Sequence, residues 1–572
     1  MFVDLKFYLK ASNFASLFLG GMSVSMFVFA VFLGFGCEGW LVVVELVEGE
    51  SVVGDFSLVF DWVGTSFSSV VCLISMCVLR FSSSYMSGDE HLGRFVWLVM
   101  LFVLSMNLLV FICSLPALLL GWDGLGLVSF CLVIYYQNRK SLGAGMITGL
   151  MNRVGDTLLL FSIVIMFSMG HWNFLGFWVC AGGWLVCLMV VVAGMTKSAQ
   201  MPFSSWLPAA MAAPTPVSAL VHSSTLVTAG VFILIRFYPF LCCYEFFNSF
   251  LVFVSVVTMM MAGYSAVFEW DMKKVIALST LSQLGMMMLA LGMGMPYVAL
   301  FHLYTHALFK ALLFLSAGEI IHVLGGKQDM RLIGGVGAAM PLTVGCLNVA
   351  NLSLCGVPFL SGFYSKDLIL EALLVGPSGV VMVGMGVVAS FLTVLYTVRL
   401  SFNILWGSGM ESFSGISDEN SVSTTPMIVL CSGALWSGCI FQSSFFSLGE
   451  HFVVSFWVKG GILVLVGVSF WLCLVGVLGS GSSISYGGAV LWFSSSMWFL
   501  SSLSVVPLIS WGLGMGHSVL KGVDQGWNEI VGGQGVLGAL KVVSSACEVW
   551  VNKMLVGYML FVLLVGIGVV FI

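Results

Sequence analysis

Eight ionisable side chains of this sequence lie inside or beside long apolar stretches, where a charge is costly enough to indicate a functional role. They are Asp123, Lys197, His222, His302, His306, Lys310, Lys366 and Asp367. Histidine titrates near neutrality, and lysines and carboxylates change their proton affinity with burial and neighbouring charge, whereas arginine stays protonated. These residue types therefore predict a relay of groups that take up and release protons.

The spacing of these residues supports one connected relay. His302, His306 and Lys310 follow one another at intervals of four, which places them on one face of a helix. Prolines and glycines interrupt the apolar stretches beside Lys197 and Lys366, and interrupted helices at membrane depth line hydrated cavities or pack against protein. We therefore predict two broken helices, each carrying a lysine.

Other polar residues in the apolar stretches have simpler explanations. Asp123, taken alone, could be a polar residue that packs between helices. Arg153 and Asp156, three residues apart, could neutralise each other or act in the relay, and the sequence does not decide between these readings. Lys273 and Lys274 follow an aspartate at a predicted helix start, so we expect both to extend to the membrane interface.

The composition determines which elements must position these residues. Of 572 residues, 60% are hydrophobic and only 8% are charged, and the mean hydropathy is +1.11. A single soluble core could not bury so much apolar surface, so the fold class is all-α, a polytopic transmembrane helical bundle. We predict about fifteen helices, near residues 11–36, 62–81, 94–115, 117–136, 147–169, 182–200, 217–237, 248–268, 274–293, 298–323, 341–371, 379–406, 426–447, 459–479 and 554–572. The serine-rich stretch 492–511 could be a further span or lie at the membrane interface, and its serine content favours the interface.

Polar breaks divide the chain into six regions. They are 1–93 with the N-terminal helices and an acidic hairpin, 94–237 and 248–406 as two inverted five-helix units, 407–514 with C-terminal helices, 515–553 as an amphipathic lateral helix, and 554–572 as a final span. The first apolar run has the length of a full span without a clear cleavage site, so we expect it to be retained. The positive-inside rule places Arg139 and Lys140, with Lys6 and Lys10, on the inner face and the hairpin on the other.

Several classes of function are excluded. The net charge of −5 and the lack of a basic stripe argue against nucleic-acid binding. The 15 cysteines form no Cys-x-x-Cys pair, so we predict neither a metal site nor an iron–sulfur centre. The segment Gly533–Gly538 matches a dinucleotide-binding pattern without the strand that such a site requires, and Glu319 with His322 forms only half of a di-iron motif.

Seven blocks of sequence resemble the family of NADH:ubiquinone oxidoreductase chain 5, the antiporter-like membrane subunit of mitochondrial respiratory complex I. The blocks are Gly121–Phe130, Asn152–Asp156, Lys197–Gln200, Trp206–Thr225, Lys273–Gly285, His302–Lys310 and Gly356–Asp367. The strong resemblance covers about residues 94–406. It departs from the family pattern at Asp123, where glutamate is frequent, in the one helix before the hairpin, and in a short lateral helix.

The resemblance implies a subunit that moves protons across the mitochondrial inner membrane while other subunits oxidise NADH with ubiquinone. Asp123 would pair with Lys197, His222 and the His302 face would carry the central relay, and Lys366 with Asp367 would form the exit. NADH, FMN, iron–sulfur clusters and ubiquinone would belong to other subunits, so this chain would have no redox site. Its partners would be other membrane-arm subunits, especially the neighbouring antiporter-like subunit, and phospholipids.

A second hypothesis is a subunit of a multi-subunit cation/proton antiporter, which shares these blocks and is driven by ion gradients. The short C-terminal part favours complex I, since many antiporter homologues carry further domains. A third hypothesis, a membrane scaffold, predicts that loss of Lys197 or Lys366 leaves proton transport intact.

Overall fold

The protein is almost entirely helical, as the apolar composition requires, because a helix pairs its backbone polar groups internally in lipid. The computed structural model describes residues 2–36, 39–48, 53–168, 170, 172–173, 183–376, 379–405, 418, 420–445, 456–479 and 488–571. Within these residues thirteen helices are long and apolar enough to cross a membrane, and two shorter apolar helices accompany them. The predicted all-α bundle of about fifteen helices is confirmed.

The N-terminal region contains a long helix, a hairpin and a second helix. Its elements are α1 (Phe2–Gly34), β1 (Trp40–Glu48), β2 (Val53–Phe60) and α2 (Trp62–Tyr85). The strands pair antiparallel with Trp40 opposite Phe60, as the alternating residues predict, while residues 49–52 at the tip lie outside the described residues. Asp61 begins α2 because its carboxylate accepts a hydrogen bond from the Gly64 amide at 3.0 Å.

The first five-helix unit contains a broken fourth helix that bears Lys197. The elements of this unit are α3 (Leu92–Phe111), α4 (Leu115–Val133), α5 (Arg139–Phe167), α6 (Gly183–Lys197), α7 (Trp206–Ala209), α8 (Thr215–Val217), a π-helical segment (Ser218–Thr225) and α9 (Leu226–Leu241). Helix α6 ends at Lys197, and the chain continues through irregular backbone and a 3₁₀ turn, Phe203–Ser205, to α7. The predicted interruption is therefore present.

The second five-helix unit repeats this layout. Its elements are α10 (Glu245–Phe268), α11 (Met272–Gly292), α12 (Pro296–Val323), α13 (Pro341–Cys355), α14 (Ser361–Val375) and α15 (Val380–Leu405). The break between α13 and α14 contains Gly356, whose φ of +83° suits glycine. Five crossings separate the start of the first unit from the start of this one, so the two units start from opposite membrane faces and are inverted.

Three of these helical spans lie at the centre of the bundle. The most apolar stretches of Thr215–Arg236, α11 and α12 are wholly buried, whereas only 22% of the corresponding stretch of α1 is. Protein rather than lipid therefore surrounds the segments that carry His222, His302, His306 and Lys310.

The chain divides into two compact units, 1–501 and 502–572, and the boundary lies in the C-terminal region. The helices of this region are α16 (Ser421–Phe445), α17 (Phe456–Gly479), α18 (Gly488–Ser495), α19 (Leu500–Val519), a π-helical segment (Leu520–Trp527), α20 (Asn528–Val531) and α21 (Gly533–Val570). None of the described side chains of α20 and α21 is buried.

The predicted boundary between a lateral helix, 515–553, and a final span, 554–572, is not a break in the chain. Helix α21 is continuous for 38 residues through this point because residues 541–556 contain neither glycine nor proline. The break lies instead at Gly532, whose φ of −92° and ψ of −132° leave the helical region.

Candidate functional site

The lysines and histidines of the predicted relay are enclosed by protein. Lys197, His306 and Lys310 have 0% exposed surface, His222 and His302 have 1%, and Lys366 has 3%. Asp123 and Asp367 are only partly buried. Basic groups at such depth must be held by polar partners or water, because an unpaired buried charge is expensive.

Lys197 is held by a tryptophan of α4. Its Nζ donates a hydrogen bond to the Trp122 carbonyl oxygen at 2.6 Å and lies 3.9 Å from the centre of the Trp122 ring. Helix α6 ends at this lysine, so the side chain can turn toward α4. An ammonium over an aromatic face gains a cation–π interaction as well as the hydrogen bond.

Two aspartates and an arginine surround the same tryptophan. The Trp122 indole Nε1 donates to Asp156 Oδ1 at 2.7 Å, and Arg153 Nη1 donates to Asp156 Oδ2 at 3.1 Å. Arg153 Nη1 also lies 2.8 Å from Asp123 Oδ1. Arg153 therefore contacts both carboxylates, so its pairing with Asp156 is present, while a role of the pair in the relay stays a prediction.

The implied pairing of Asp123 with Lys197 is not a direct ion pair in this structure. Within the described part of the chain, Asp123 forms its ion pair with Arg153, and no oxygen of Asp123 lies within ion-pair distance of Lys197. Aspartate is one methylene shorter than the glutamate frequent at this position, and Arg153 lies closer. Asp156, joined to Trp122, is the carboxylate more directly connected to the lysine.

His222 lies on the π-helical segment Ser218–Thr225, where the Thr225 hydroxyl donates to the Leu220 carbonyl five residues earlier at 2.7 Å. Its ring meets that of Trp206 edge-on with centroids 6.2 Å apart. Neither ring nitrogen has a hydrogen-bond partner among the described residues. Buried nitrogens of this kind are ordinarily satisfied by water.

His302 joins the central helices to the second broken helix. Its Nδ1 lies 2.9 Å from the Ser365 hydroxyl on α14, and its Nε2 lies 3.1 Å from Gln283 Oε1 on α11. The Ser365 hydroxyl also lies 3.1 Å from that of Thr305. Because Ser365 immediately precedes Lys366, these bonds link the histidine face of α12 to the lysine of α14.

His306 and Lys310 continue the same face of α12. The rings of His302 and His306 have centroids 6.2 Å apart, and both nitrogens of His306 lack a partner among the described residues. Lys310 Nζ donates to the Ser279 hydroxyl of α11 at 2.5 Å. The predicted arrangement of the three residues on one helix face is present, and it points into the bundle.

Lys366 lies at the break between α13 and α14. Its Nζ donates to the Thr393 hydroxyl of α15 at 2.9 Å and to the carbonyls of Leu354 and Cys355, the last residues of α13, at 3.3 and 3.4 Å. The interruption frees these carbonyls from helical bonding, so the broken backbone itself forms the lysine site. Asp367 is adjacent in sequence.

Sequence reasoning missed part of the polar network. Lys273 does not extend to the interface but is 5% exposed, and its Nζ donates to the Ala213 carbonyl at 3.3 Å. Lys274 does form the expected exposed ion pair, with Asp271 at 3.1 Å. An exposed and a buried lysine adjacent in sequence could be distinguished only from the packing of α11.

These partners suit proton transfer. Imidazoles, ammonium groups and hydroxyls alternate across α11, α12 and α14, and each can give or receive a proton or a hydrogen bond. Among the residues that the structure describes, no group of three or more histidines, cysteines or carboxylates has the arrangement of a metal site.

Three family models match successive parts of the chain. The model for the complex I chain 5 N-terminus matches residues 48–96, the model for the NADH:quinone oxidoreductase/Mrp antiporter transmembrane region matches 92–393, and the model for the NADH dehydrogenase subunit 5 C-terminus matches 396–572. The second of these covers more than half of the chain.

Relatives are similar over most of their length. The chain is 48% identical to NADH-ubiquinone oxidoreductase chain 5 of Lumbricus terrestris over 485 residues, 84% of either chain. It is 42% identical to the protein of that name from Aedes aegypti, over 91% of this chain and 92% of that one. It is 41% identical to the protein of that name from Mytilus edulis, over 93% of this chain and 94% of that one.

A solved structure has the same fold. A chain of the Mrp complex from Dietzia sp. DQ12-45-1b superimposes with a TM-score of 0.72 at 24% identity, over 95% of this chain. This chain spans 63% of the length of that one. The likeness shows the shared antiporter-like architecture.

Proposed function

This chain belongs to the family of NADH-ubiquinone oxidoreductase chain 5, and from that premise we propose that its buried lysines and histidines form the path of the translocated protons. The chain is a multi-pass protein of the mitochondrial inner membrane and a proton-translocating membrane-arm subunit of respiratory complex I. The proposal concerns which residues carry the protons and in what order.

The observation that carries the proposal is the connection through Ser365. One hydroxyl contacts His302 on the central helix and lies next in sequence to Lys366 at the second break. The Ser365 hydroxyl contacts the His302 ring and the Thr305 hydroxyl of α12, and the next residue of α14 is the buried Lys366, so α12 and the second broken helix are joined by hydrogen bonds beside that lysine. The burial of the basic groups supports the same path, since such groups are retained at depth where they mark ion pathways.

The path has three parts. The site of Lys197 begins it, with Trp122 binding the ammonium and Asp156 binding the indole. His222, His306 and Lys310 form the middle, where water supplies the contacts that the protein leaves open around the two histidines. His302 and Ser365 lead to Lys366 and Asp367, which form the exit.

The charge of one group controls the next. A proton arriving at Lys197 is favoured by the aspartates gathered by Arg153, and any displacement of that arginine changes the negative charge that the lysine experiences. Lysine suits this task because it can lose its proton when its surroundings change, which arginine cannot. The broken helices let the two lysine sites adjust separately.

We assign the redox chemistry of the complex to other subunits, so that NADH, FMN, the iron–sulfur clusters and ubiquinone bind elsewhere and this chain has no redox site. The partners of the chain are then other membrane-arm subunits, foremost the neighbouring antiporter-like subunit, and phospholipids. The unburied apolar side chains of α21 support this assignment, since they require protein or lipid to cover them.

The experiment is to replace Lys197 and Lys366, separately, by alanine in the assembled complex and to measure proton release and NADH oxidation in sealed vesicles. Each change is expected to reduce proton release at least fivefold. Lys274→Ala, which removes an exposed lysine, is the control and should pump normally. Normal pumping by both relay variants would leave a scaffold role as the explanation.

The hypothesis of a separate cation/proton antiporter shares the fold but not the family assignment. The Mrp likeness at 24% identity concerns architecture, whereas the chain 5 relatives reach 48% identity. Purification of the chain together with flavin and iron–sulfur subunits would separate the two functions.

A further inference from the structure

Glu371 is a buried carboxylate that the path described above does not use. It lies on α14 four residues after Asp367, which is one helical turn, and only 7% of its surface is exposed. Its Oε2 has no hydrogen-bond partner among the described residues. A carboxylate so enclosed and so poorly bonded within a spanning helix indicates a function.

One cation faces this carboxylate. Lys459 Nζ lies 3.9 Å from Glu371 Oε2, at the limit of an ion pair, and reaches it from α17, which packs against α14. The side chain of Lys459 is 52% exposed, whereas that of Glu371 is 9% exposed. The pair therefore spans from the interior of the bundle to its surface.

Both residues lie at helix ends. Glu371 is in the last turn of α14, and Lys459 is in the first turn of α17. Trp457, two residues before the lysine, is 86% exposed, and exposed tryptophans are enriched at the membrane–water interface. The carboxylate and its lysine are thus positioned where the bundle meets water.

The membrane face follows from the order of helices. From the hairpin to the end of α14 the described helices cross ten times, with each broken helix and the α8 to α9 span counted once, and an even number returns the chain to the hairpin side. Arg139 and Lys140, at the start of α5, follow three of these crossings, α2 to α4, and therefore lie on the opposite face. By the positive-inside rule, Glu371 opens to the outer face.

We propose that Glu371 is the outlet carboxylate of the proton path, with Lys459 as the residue that positions it. The inference rests on the proposed function, since it extends the exit formed by Lys366 and Asp367. The Lys366 ammonium gives its proton to Asp367, the resulting acid passes it to Glu371, and Glu371 releases it to water on the hairpin side. Each carboxylate returns to its ionised form, and the neutral Lys366 amine takes its next proton from the His302 side of the path, so no other reactant is needed.

The test replaces Glu371 by glutamine in the assembled complex, which preserves shape and removes the exchangeable proton. Proton release in sealed vesicles is expected to fall at least fivefold with assembly unchanged, and Glu371→Asp should restore at least half of the native rate. Glu245→Gln is the matched control, because Glu245 is an exposed glutamate at the start of α10 on the same face. Native proton release by Glu371→Gln overturns the proposal.

Lys459→Gln provides an independent measurement, since the lysine is half exposed and its loss spares the core. We expect the pH dependence of proton release to shift by at least half a unit, with Lys459→Arg restoring the native profile. A purely structural lysine would leave that profile unchanged, which would contradict the positioning role. If the complex with Glu371→Gln fails to assemble, the pH profile of the Lys459→Gln variant tests the proposal instead.

Lys366→Met measured in parallel separates the two proposals. Loss of pumping in Lys366→Met with native pumping in Glu371→Gln would overturn the outlet and leave the relay standing. Native pumping in both would overturn the relay and the outlet together.

Discussion

Trp122 connects Lys197 to Asp156, because its backbone carbonyl accepts a hydrogen bond from the ammonium, its ring faces the ammonium, and its indole Nε1 donates to the carboxylate. One tryptophan therefore couples a buried lysine on α6 to a carboxylate on α5. Asp123, although only one residue from Trp122, forms its ion pair with Arg153. Asp123 is adjacent to Trp122 in sequence, but the carboxylate that accepts the hydrogen bond from Trp122 is that of Asp156.

Asp156→Asn should impair proton release more than Asp123→Asn. Asparagine at 156 still accepts from Trp122 but removes the negative charge joined to the Lys197 site, and a change worth one pKa unit alters the protonated fraction about tenfold. We expect about a tenfold loss for Asp156→Asn and less than threefold for Asp123→Asn, measured as proton release by the assembled complex. Equal losses would assign the control of Lys197 to both aspartates.

Lys310→Arg should stop proton transfer as completely as Lys310→Met. Arginine retains the positive charge next to Ser279 but cannot give up its proton at physiological pH. Both variants are expected to lose at least nine-tenths of proton release, with assembly followed on native gels. Pumping by the arginine variant would mean that Lys310 supplies only a fixed charge.

Gly362→Ala should prevent stable assembly. A Cβ at Gly362 would overlap the Ser353 carbonyl of α13, so α14 would be forced away from its partner and the Lys366 site would open. Overpacking of this kind costs about 1–3 kcal/mol or more. Gly345→Ala on α13 is the control, since nothing lies within 4 Å of the added methyl group. Assembly of both variants in native amounts would contradict the close approach of the two helices.

Asp61→Asn should lower the thermal stability of the complex. Arg236 of α9 donates to both oxygens of Asp61, and the two side chains are 13% and 25% exposed. Breaking a fully buried pair costs about 3–5 kcal/mol, and we expect this partly buried pair to fall below that range.

Asp329→Asn is the control for the Asp61 prediction. Asp329 pairs with Arg331 on the surface, where hydrogen bonds from the guanidinium hold the pKa of Asp329 below its usual value. Exposed pairs contribute little. The complex that carries Asp329→Asn should have the melting temperature of the unaltered complex. A similar drop in melting temperature for Asp61→Asn and Asp329→Asn would indicate a general charge effect.

A high-resolution experimental structure of the assembled complex should contain ordered water beside His222 and His306. All four ring nitrogens are buried without a partner in the described protein, and each unsatisfied polar group costs about 1–3 kcal/mol. Water within 3.2 Å of at least one nitrogen of each ring is expected. Dry, apolar packing around both rings would contradict a proton path through them.

The sequence predicts the architecture well because one energetic cost dominates it, that of placing polar backbone groups and charges in hydrocarbon. Apolar length defines the helices, and proline and glycine beside Lys197 and Lys366 define the two breaks, which lie where expected. The spacing of His302, His306 and Lys310 likewise defines a helix face without any knowledge of packing.

The partners of these residues could not be predicted in the same way. That Trp122, rather than Asp123, binds Lys197 depends on where α6 ends and how it approaches α4. The burial of Lys273 and Glu371 depends on tertiary contacts of α11 and α14, and the same residue types at a helix end are usually solvated. The continuity of α21 across residues 553 and 554 is likewise not predictable from the sequence, because a change in polarity along a helix does not by itself end the helix.

The length of α21 has a consequence for how the chain is produced. A helix of 38 residues measures about 57 Å, nearly twice the hydrocarbon thickness of a bilayer. One crossing of the bilayer accommodates only about half of this length. Other protein chains or lipid must therefore cover much of the apolar surface of α21. Chains synthesised in excess of their partner subunits would expose the apolar surface of α21. We therefore expect synthesis of this chain to be matched to that of its partner subunits.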